Sequence, residues 1–459
     1  MAENIRLRKL SPVELMDAHL AQIEKDNPRI NAFILLLADE ARAEARRAEE
    51  EQMHGVFRGP LHGVPVTIKD SFDMAGVPTT CGSRFFADLK ASADATAVRR
   101  LRGAGAIPIG KTNCPEFLYN YETDNHIAGR TNNPWNLERT AGGSSGGESA
   151  AISSFCSAGG IGSDGGGSVR IPAHFCGIAG LKPTPGRCSA AGHLPEINHP
   201  GGLLGVGGPM ARNVGDVRAL FEVLQGYDID DPFSAPVPLR TPNVSGLHVG
   251  IMEQFYRVPV QAAVRDAVRM AAEFLRSAGF VVEQFEPKGL ERAPNLWWYF
   301  FGQVPSRILT ELIAGREDQA HWTGLELVQH ALAEPEPTYR NMVENLAVRD
   351  KMRGSMLRQM EEYPVLLTPA CGVTAWPHRQ RRFPTDGKEI GLFEAMMPAT
   401  WLNLLGFPGV VLPMSIDGNN MPVGVQLVGR AWDEETVLEV AARLEDARGP
   451  FPAPPDYVV

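Results

Sequence analysis

Residues 142–172 read GGSSGGESAAISSFCSAGGIGSDGGGSVRIP, two clusters of glycine and serine separated by a short run of small residues. Ser144 lies in the first cluster and Ser168 in the second. So many glycines are costly in backbone entropy, and they make sense where the chain must take positive φ or approach another group closely. A run of free amides pointing one way is an anion cradle, and here a serine hydroxyl sits at its end. Gly165, Gly166 and Gly167 therefore read as an oxyanion hole and Ser168 as its nucleophile. The alanine- and serine-rich segment 148–158 predicts a buried helix that fixes the distance between Ser144 and Ser168.

A nucleophilic serine needs a base, and this stretch contains no histidine. Upstream, residues 64–70, VPVTIKD, place Lys69 at the end of an apolar, β-branched run. Burial there disfavours the ammonium, so a neutral amine becomes available to accept a proton. With these residues the chain resembles the amidase signature hydrolases, whose paired fingerprints Gly-Gly-Ser-Ser-Gly-Gly and Gly-x-Asp-x-Gly-Gly-Ser-x-Arg match 142–147 and 162–170. The resemblance implies a Ser-cisSer-Lys triad, with Lys69 as base, Ser144 as the bridging serine on a cis peptide and Ser168 as nucleophile. In supporting roles, Asp164 and Arg170 hold the glycine loop by an ion pair or hydrogen bonds, and Ser145 steadies Lys69 or that loop. The implied fold is α/β, a large mixed, twisted β-sheet with α-helices on both faces. The implied organisation is a single domain over 1–459, within which about 230–395 is a more variable, mainly helical, cap-like region.

Two other patterns offer rival readings of the chain. Residues 105–112, GAIPIGKT, satisfy the phosphate-loop pattern G-x-x-x-x-G-K-T, but a phosphate loop follows its strand, whereas Ala-Ile-Pro-Ile look like the strand itself. Residues 142–146 also spell the nucleophile elbow G-x-S-x-G. An elbow needs a buried strand before it, and 132–140 are polar and loop-like; no histidine follows His378 to complete that triad.

Along the chain, Ser11-Pro12-Val13-Glu14 has the form of a capping box and predicts a helix over 12–26, followed by an exposed helix over 38–52. A strand over 62–69 leads to Lys69, Asp94 caps a helix running to 102, and 107–109 form another strand, the alternation of an α/β protein. Segments 179–184 and 207–212 read as turns rimming the site. Between them lie Arg187, His193 and His199, of which Arg187 is the best candidate for touching substrate. From about 230 to 395 the fingerprint fades: a helix over 260–278 lies between strands at 247–251 and 280–284. The aromatic run 296–301, LWWYFF, reads first as core or a subunit contact, and also suits a cap over an apolar acyl or aryl group. Strands at 365–369, 409–416 and 423–428 and a final helix from Asp433 to about 448 complete the pattern.

The net charge of −10 argues against a nucleic-acid surface, which needs clustered Lys and Arg. Six cysteines without a C-x-x-C pair read as reduced, buried thiols rather than metal ligands, so neither metal nor cofactor is expected. No apolar signal core or membrane-length run occurs, and the expectation is a cytoplasmic enzyme with no membrane partner. Its expected partners are a small-molecule amide or carbamate and, in a homodimer, a second copy of itself. Three functions stay open: an amidase or carbamate-cleaving hydrolase resembling the bacterial, urethanase-containing branch; the glutaminase subunit of a tRNA-dependent amidotransferase; and a scaffold without catalysis. That glutaminase carries an acidic residue before its Asn-Leu-x-Gly segment; here Met396 and Met397 stand near that place, which favours an apolar substrate.

Overall fold

A computed structural model describes residues 1–196 and 204–457. One mixed sheet is built from β1 (Phe33–Leu36), β2 (Pro65–Lys69), β3 (Ile107–Thr112), β4 (Gly159–Asp164), β5 (Ala179–Lys182) and β6 (Val206–Ala211). It continues through β7 (His248–Ile251), β8 (Val281–Gln284), β9 (Val365–Pro369), β10 (Gly409–Ile416) and β11 (Pro422–Gly429). Their spatial order is β1-β3-β2-β4-β6-β5-β10-β11-β9-β7-β8. β3, β2 and β4 run parallel, as do β9, β7 and β8, and the strands between these two groups pair antiparallel.

The pleat sorts side chains between two cores. Val423, Val425 and Leu427 of β11 join a cluster with Val264, Val268 and Leu275 of helix Ala262–Ser277 and with Val437, Val440 and Leu444 of helix Glu434–Arg448. Val66 and Ile68 of β2 enter the same cluster. By alternation Thr67 and Lys69 point the other way, where helices Gly146–Ser153 and Arg170–Cys176 cover the sheet and Glu148 accepts a hydrogen bond from Thr67. The helices on both faces and the mixed sheet are those the resemblance implies. The helix expected over 12–26 spans Pro12–Ile30, after a short one at Ala2–Arg6, and starts on the predicted capping box: Ser11 Oγ accepts the amides of Val13 and Glu14 at 3.0 and 3.1 Å, and Glu14 answers to the Ser11 amide.

Several local expectations change. Segments 179–184 and 207–212 are not turns at the rim but mostly strands β5 and β6 in the middle of the sheet. Their glycines answer to close packing: an ideal Cβ on Gly208 would lie 2.1 Å from the Leu181 carbonyl oxygen. Gly110, Lys111 and Thr112 of the phosphate-loop pattern belong to β3, and Lys111 is buried with Nζ 2.7 Å from Asp70 Oδ1. Asp94 does not cap its helix, because its carboxylate takes the Ala75 amide at 2.8 Å and pairs with Arg102. The helix between the two glycine clusters ends at Ser153, five residues early. The stretch 230–395, expected to be mainly helical, also supplies part of the sheet, since β7, β8 and β9 come from it.

Candidate active site

Lys69 ends β2 and Asp164 ends β4, its parallel neighbour, so both sit at the carboxyl ends of parallel strands, where open α/β sheets bind ligands. Lys69 is fully buried. Its Nζ lies 2.7 Å from Ser144 Oγ, 3.0 Å from Ser163 Oγ and 3.4 Å from the Ser163 carbonyl. Burial disfavours the ammonium and lowers its pKa from 10.5 to about 8, against the opposing pull of Asp164 and Glu148. Roughly one lysine in ten is then neutral at pH 7, against well under one in a thousand for an exposed one. The peptide bond Gly143–Ser144 is cis.

Ser145 stands at the head of helix Gly146–Ser153 and joins the two clusters. Its Oγ donates to the Ser163 carbonyl at 3.2 Å, and its amide donates to the Ser168 carbonyl at 3.1 Å. These contacts join Ser145 to Ser163 and to the loop rather than to Lys69. Ser163, the residue bonded to Lys69 from the far side, escapes sequence reasoning; a serine inside a glycine-rich strand carries no pattern of its own.

The loop 165–169 is shaped from below by Asp164. Its buried carboxylate accepts the amides of Gly167 at 2.7 Å and Val169 at 3.1 Å, and both Arg170 Nε and Nη2 at 3.0 Å. Burial pushes this carboxyl up, but the Arg170 charge and hydrogen bonds outweigh it and hold the group well below the usual carboxylate range. Arg170 is closed in by Gln426 Oε1 and Asn403 Oδ1, each at 2.6 Å, and the Ala399 carbonyl at 3.0 Å. From above, Trp297 Nε1 donates to the Gly165 carbonyl at 2.9 Å, and the Tyr121 hydroxyl to the Gly166 carbonyl at 3.0 Å. Among the described residues the amides of Gly165, Gly166 and Ser168 make no hydrogen bond to the protein. Gly167 departs from expectation: its amide is committed to Asp164, and its φ of +113° serves the turn rather than an oxyanion.

Ser144, Ser163, Gly165 and Ser168 open on one cavity of 190 Å³. Phe86, Phe117, Phe301 and Leu309 make its apolar walls, and Ile308, 60% exposed, stands at its mouth. Phe301 stacks on Trp297 at 4.7 Å, so the aromatic run 296–301 is core at one end and cavity wall at the other.

Three expected substrate contacts lie elsewhere. Arg187 is buried beside Glu435, at 2.5 Å, and Glu434, at 3.5 Å, and it donates to the Val237 carbonyl at 2.7 Å. Carboxylates from the first turn of the last helix claim it, and it is not a wall of the cavity. Helix Leu392–Leu405 turns Ala399 and Asn403, one turn apart, toward Arg170 and Asp164 at the 165–169 loop. That rotation buries Met396 among Ile171, Phe175 and Val373 and puts Met397 in a second cleft with Trp298 and Phe393, so neither reaches Ser168. His193 does line the cavity, and His199 lies outside the described residues.

Among the described residues no group of three or more His, Cys, Asp or Glu is placed to hold a metal ion, and no helix is long and apolar enough to cross a membrane.

A mixed α/β sheet with this glycine-serine loop at the ends of its parallel strands defines an amide-hydrolase scaffold. A family model described as Amidase matches residues 14–438, and the chain belongs to the amidase family, whose enzymes act on amides. It is 34% identical over 461 residues to a Glutamyl-tRNA(Gln) amidotransferase subunit of Roseiflexus sp. (strain RS-1), across 94% of this chain and 92% of that protein. It is 33% identical over 457 residues to Indoleacetamide hydrolase of Bradyrhizobium diazoefficiens, across 98% and 86%. Among solved structures, 6-aminohexanoate cyclic dimer hydrolase complexed with substrate aligns with a TM-score of 0.87 at 30% identity, covering 100% of this chain and 98% of that one.

Proposed function

We propose that the chain hydrolyses the C–N bond of amides bearing an apolar acyl or aryl group, through an acyl-enzyme on Ser168. Neutral Lys69 draws a proton from Ser144, which draws one from Ser168, and the Ser168 oxygen adds to the carbonyl carbon. The amides of Gly165, Gly166 and Ser168 receive the developing oxyanion, a contribution on the order of 100-fold or more in rate for each donor. Ser144 returns its proton to the leaving nitrogen, and water releases the acyl group by the same relay. The observation that carries this reading is Lys69 Nζ, buried behind the cavity lining and 2.7 Å from the Oγ of Ser144, a residue that lines the same cavity as Ser168.

Phe86, Phe117, Phe301 and Leu309 support an apolar substrate, because a charged group brought among them would lose its hydration without compensation. An aryl carbamate presents the same carbonyl to the same hydroxyl and belongs to the same reading. The 34% identity with an amidotransferase component favours a second one, glutamine hydrolysis in a complex. The apolar walls weigh against it: Glu196 on the same lining can meet the ammonium of glutamine, but no Lys or Arg among the described lining residues meets its carboxylate. Assaying the chain alone on anilides, fatty amides, aryl carbamates and glutamine decides between them. Turnover of an apolar amide or carbamate is expected; glutamine turnover alone, dependent on a partner protein, would overturn the proposal.

A further inference from the structure

From Asp164 to Ser168 every carbonyl has a donor. Asn403 Nδ2 holds that of Asp164 at 3.0 Å, Trp297 Nε1 that of Gly165 at 2.9 Å and the Tyr121 hydroxyl that of Gly166 at 3.0 Å. The Ile171 amide holds that of Gly167 at 2.7 Å, and the Ser145 amide that of Ser168 at 3.1 Å. A planar trans peptide points its C=O and N–H in opposite directions, so a donor that holds the carbonyl of one residue also aims the amide of the next. Asn403 thereby aims the Gly165 amide, Trp297 that of Gly166, Tyr121 that of Gly167 and Ile171 that of Ser168. The Gly167 amide meets Asp164 Oδ1 at 2.7 Å and is spent on the turn. The Gly166 amide lies between Gly165 and Ser168, both of which line the cavity.

Trp297 stands behind this loop. Its ring is a wall of the second cleft, with Trp298, Phe393 and Met397, and not of the cavity that holds Ser168. The Gly165 carbonyl that it holds is therefore turned away from the substrate side, and the Gly166 amide toward it. The indole is itself fixed: it stacks on Phe301 at 4.7 Å and 16°, and the Tyr119 hydroxyl lies 2.8 and 2.7 Å from the Phe301 and Gly302 carbonyls. We propose that Trp297 is a positioning residue of the oxyanion hole, whose indole N–H, by holding the Gly165 carbonyl, aims the Gly166 amide at the substrate's carbonyl oxygen. This rests on the reading of Ser168 as nucleophile. The hold is needed because glycine stands on both sides of that peptide unit, and without a Cβ on either side little else resists its rotation. Removing the N–H deletes no amide; it lets the Gly165–Gly166 peptide plane turn away from the charge that grows on oxygen in the transition state. A residue from the stretch where the fingerprint fades thus completes the hole that the fingerprint begins.

The test compares 4-nitrophenyl butyrate with its thionoester, in which sulfur, a poor hydrogen-bond acceptor, replaces the carbonyl oxygen. Three altered proteins are measured beside the wild type: Trp297→Phe, a protein with β-(3-benzothienyl)alanine at position 297, and Tyr121→Phe. Benzothienylalanine keeps the bicyclic shape of tryptophan and lacks the N–H, so it separates the hydrogen bond from the packing. In both proteins altered at 297 the ester loses rate and the thionoester loses far less, and the oxygen-to-sulfur ratio of kcat/KM is expected to fall roughly 10-fold. Tyr121→Phe frees only the peptide whose amide Asp164 already holds, so there the two rates fall together and the ratio stays. An unchanged ratio in either protein altered at 297, or an equal fall of the ratio in Tyr121→Phe, which would mean general loosening of the loop, overturns the inference. Failure of the underlying reading looks different, with Ser168→Ala hydrolysing the ester as fast as the wild type.

Discussion

Replacing Lys69 by methionine removes the titration on which the proposed chemistry turns, and linkage dictates how stability responds. The folded lysine has a pKa of about 8 and the unfolded one 10.5, a depression of 2.5 units (10.5 − 8). At 1.36 kcal/mol per unit this is about 3 kcal/mol of differential stability. The folded value lies below the unfolded one, so between pH 8 and 10.5 the unfolded chain binds a proton that the folded chain has released. Stability therefore rises with pH across that window. Below pH 8 both states carry the proton and the wild type bears the whole penalty of a buried ammonium; above pH 10.5 neither does. Urea unfolding of the wild type and Lys69→Met, measured every half unit from pH 7 to 11, isolates the effect, because the other tyrosines, lysines and thiols titrate in both proteins. The wild type is expected to gain about 3 kcal/mol relative to the variant from one end to the other. In parallel, wild-type kcat/KM rises tenfold per pH unit below about 8 and levels off above it, and the variant is inactive throughout. A stability difference that stays flat from pH 7 to 11 would refute a lysine held by burial near neutrality.

Further expectations follow from the loop and its frame. Gly166→Ala brings a Cβ to 2.3 Å from Trp297 Cζ2 and 3.0 Å from the Tyr121 hydroxyl. Overpacking of this kind destabilises by about 1–3 kcal/mol, and displacing the two donors that pin the loop lowers kcat on the order of 100-fold; thermal melts and initial rates check both. Arg170→Met leaves the Asp164 carboxylate buried without its cation, a loss of about 3–5 kcal/mol in urea unfolding. Arg187→Met strips Glu434 and Glu435 of their cation, and roughly 3 kcal/mol of stability goes with it, while KM stays unchanged; a raised KM at unchanged stability would return Arg187 to the substrate.

Much of this arrangement is legible in the residues themselves, wherever the deciding physics is local. Lys69 closes a β-branched run, and such a run becomes a buried strand. The apolar runs 365–369, 409–416 and 423–428 turn out as β9, β10 and β11 within a residue, because continuous burial on both faces demands that composition. What stays hidden depends on contacts across hundreds of positions. Asn403 and Gln426 complete the cage of Arg170 from 233 and 256 residues away, and Trp297 reaches Gly165 over 132. Arg187 looks like a loop cation until two carboxylates 247 and 248 positions downstream fold onto it. The glycines of β5 and β6 resemble turn residues because glycine serves close strand packing as readily as positive φ, and only the neighbouring strand tells the two apart. Gly167 belongs to the predicted oxyanion triplet by position, yet its amide goes to Asp164, a choice made by the turn geometry.

The central claim is that the hydroxyl of Ser168, activated through Ser144 by Lys69, forms the bond to substrate. Treating the wild type, Ser168→Ala and Lys69→Met with an alkyl fluorophosphonate and mapping the adduct by peptide mass spectrometry tests it directly. The account predicts one adduct per chain, on Ser168, absent from Ser168→Ala and formed far more slowly in Lys69→Met. An adduct on Ser144 or Ser163, or undiminished labelling of Ser168→Ala, would contradict it.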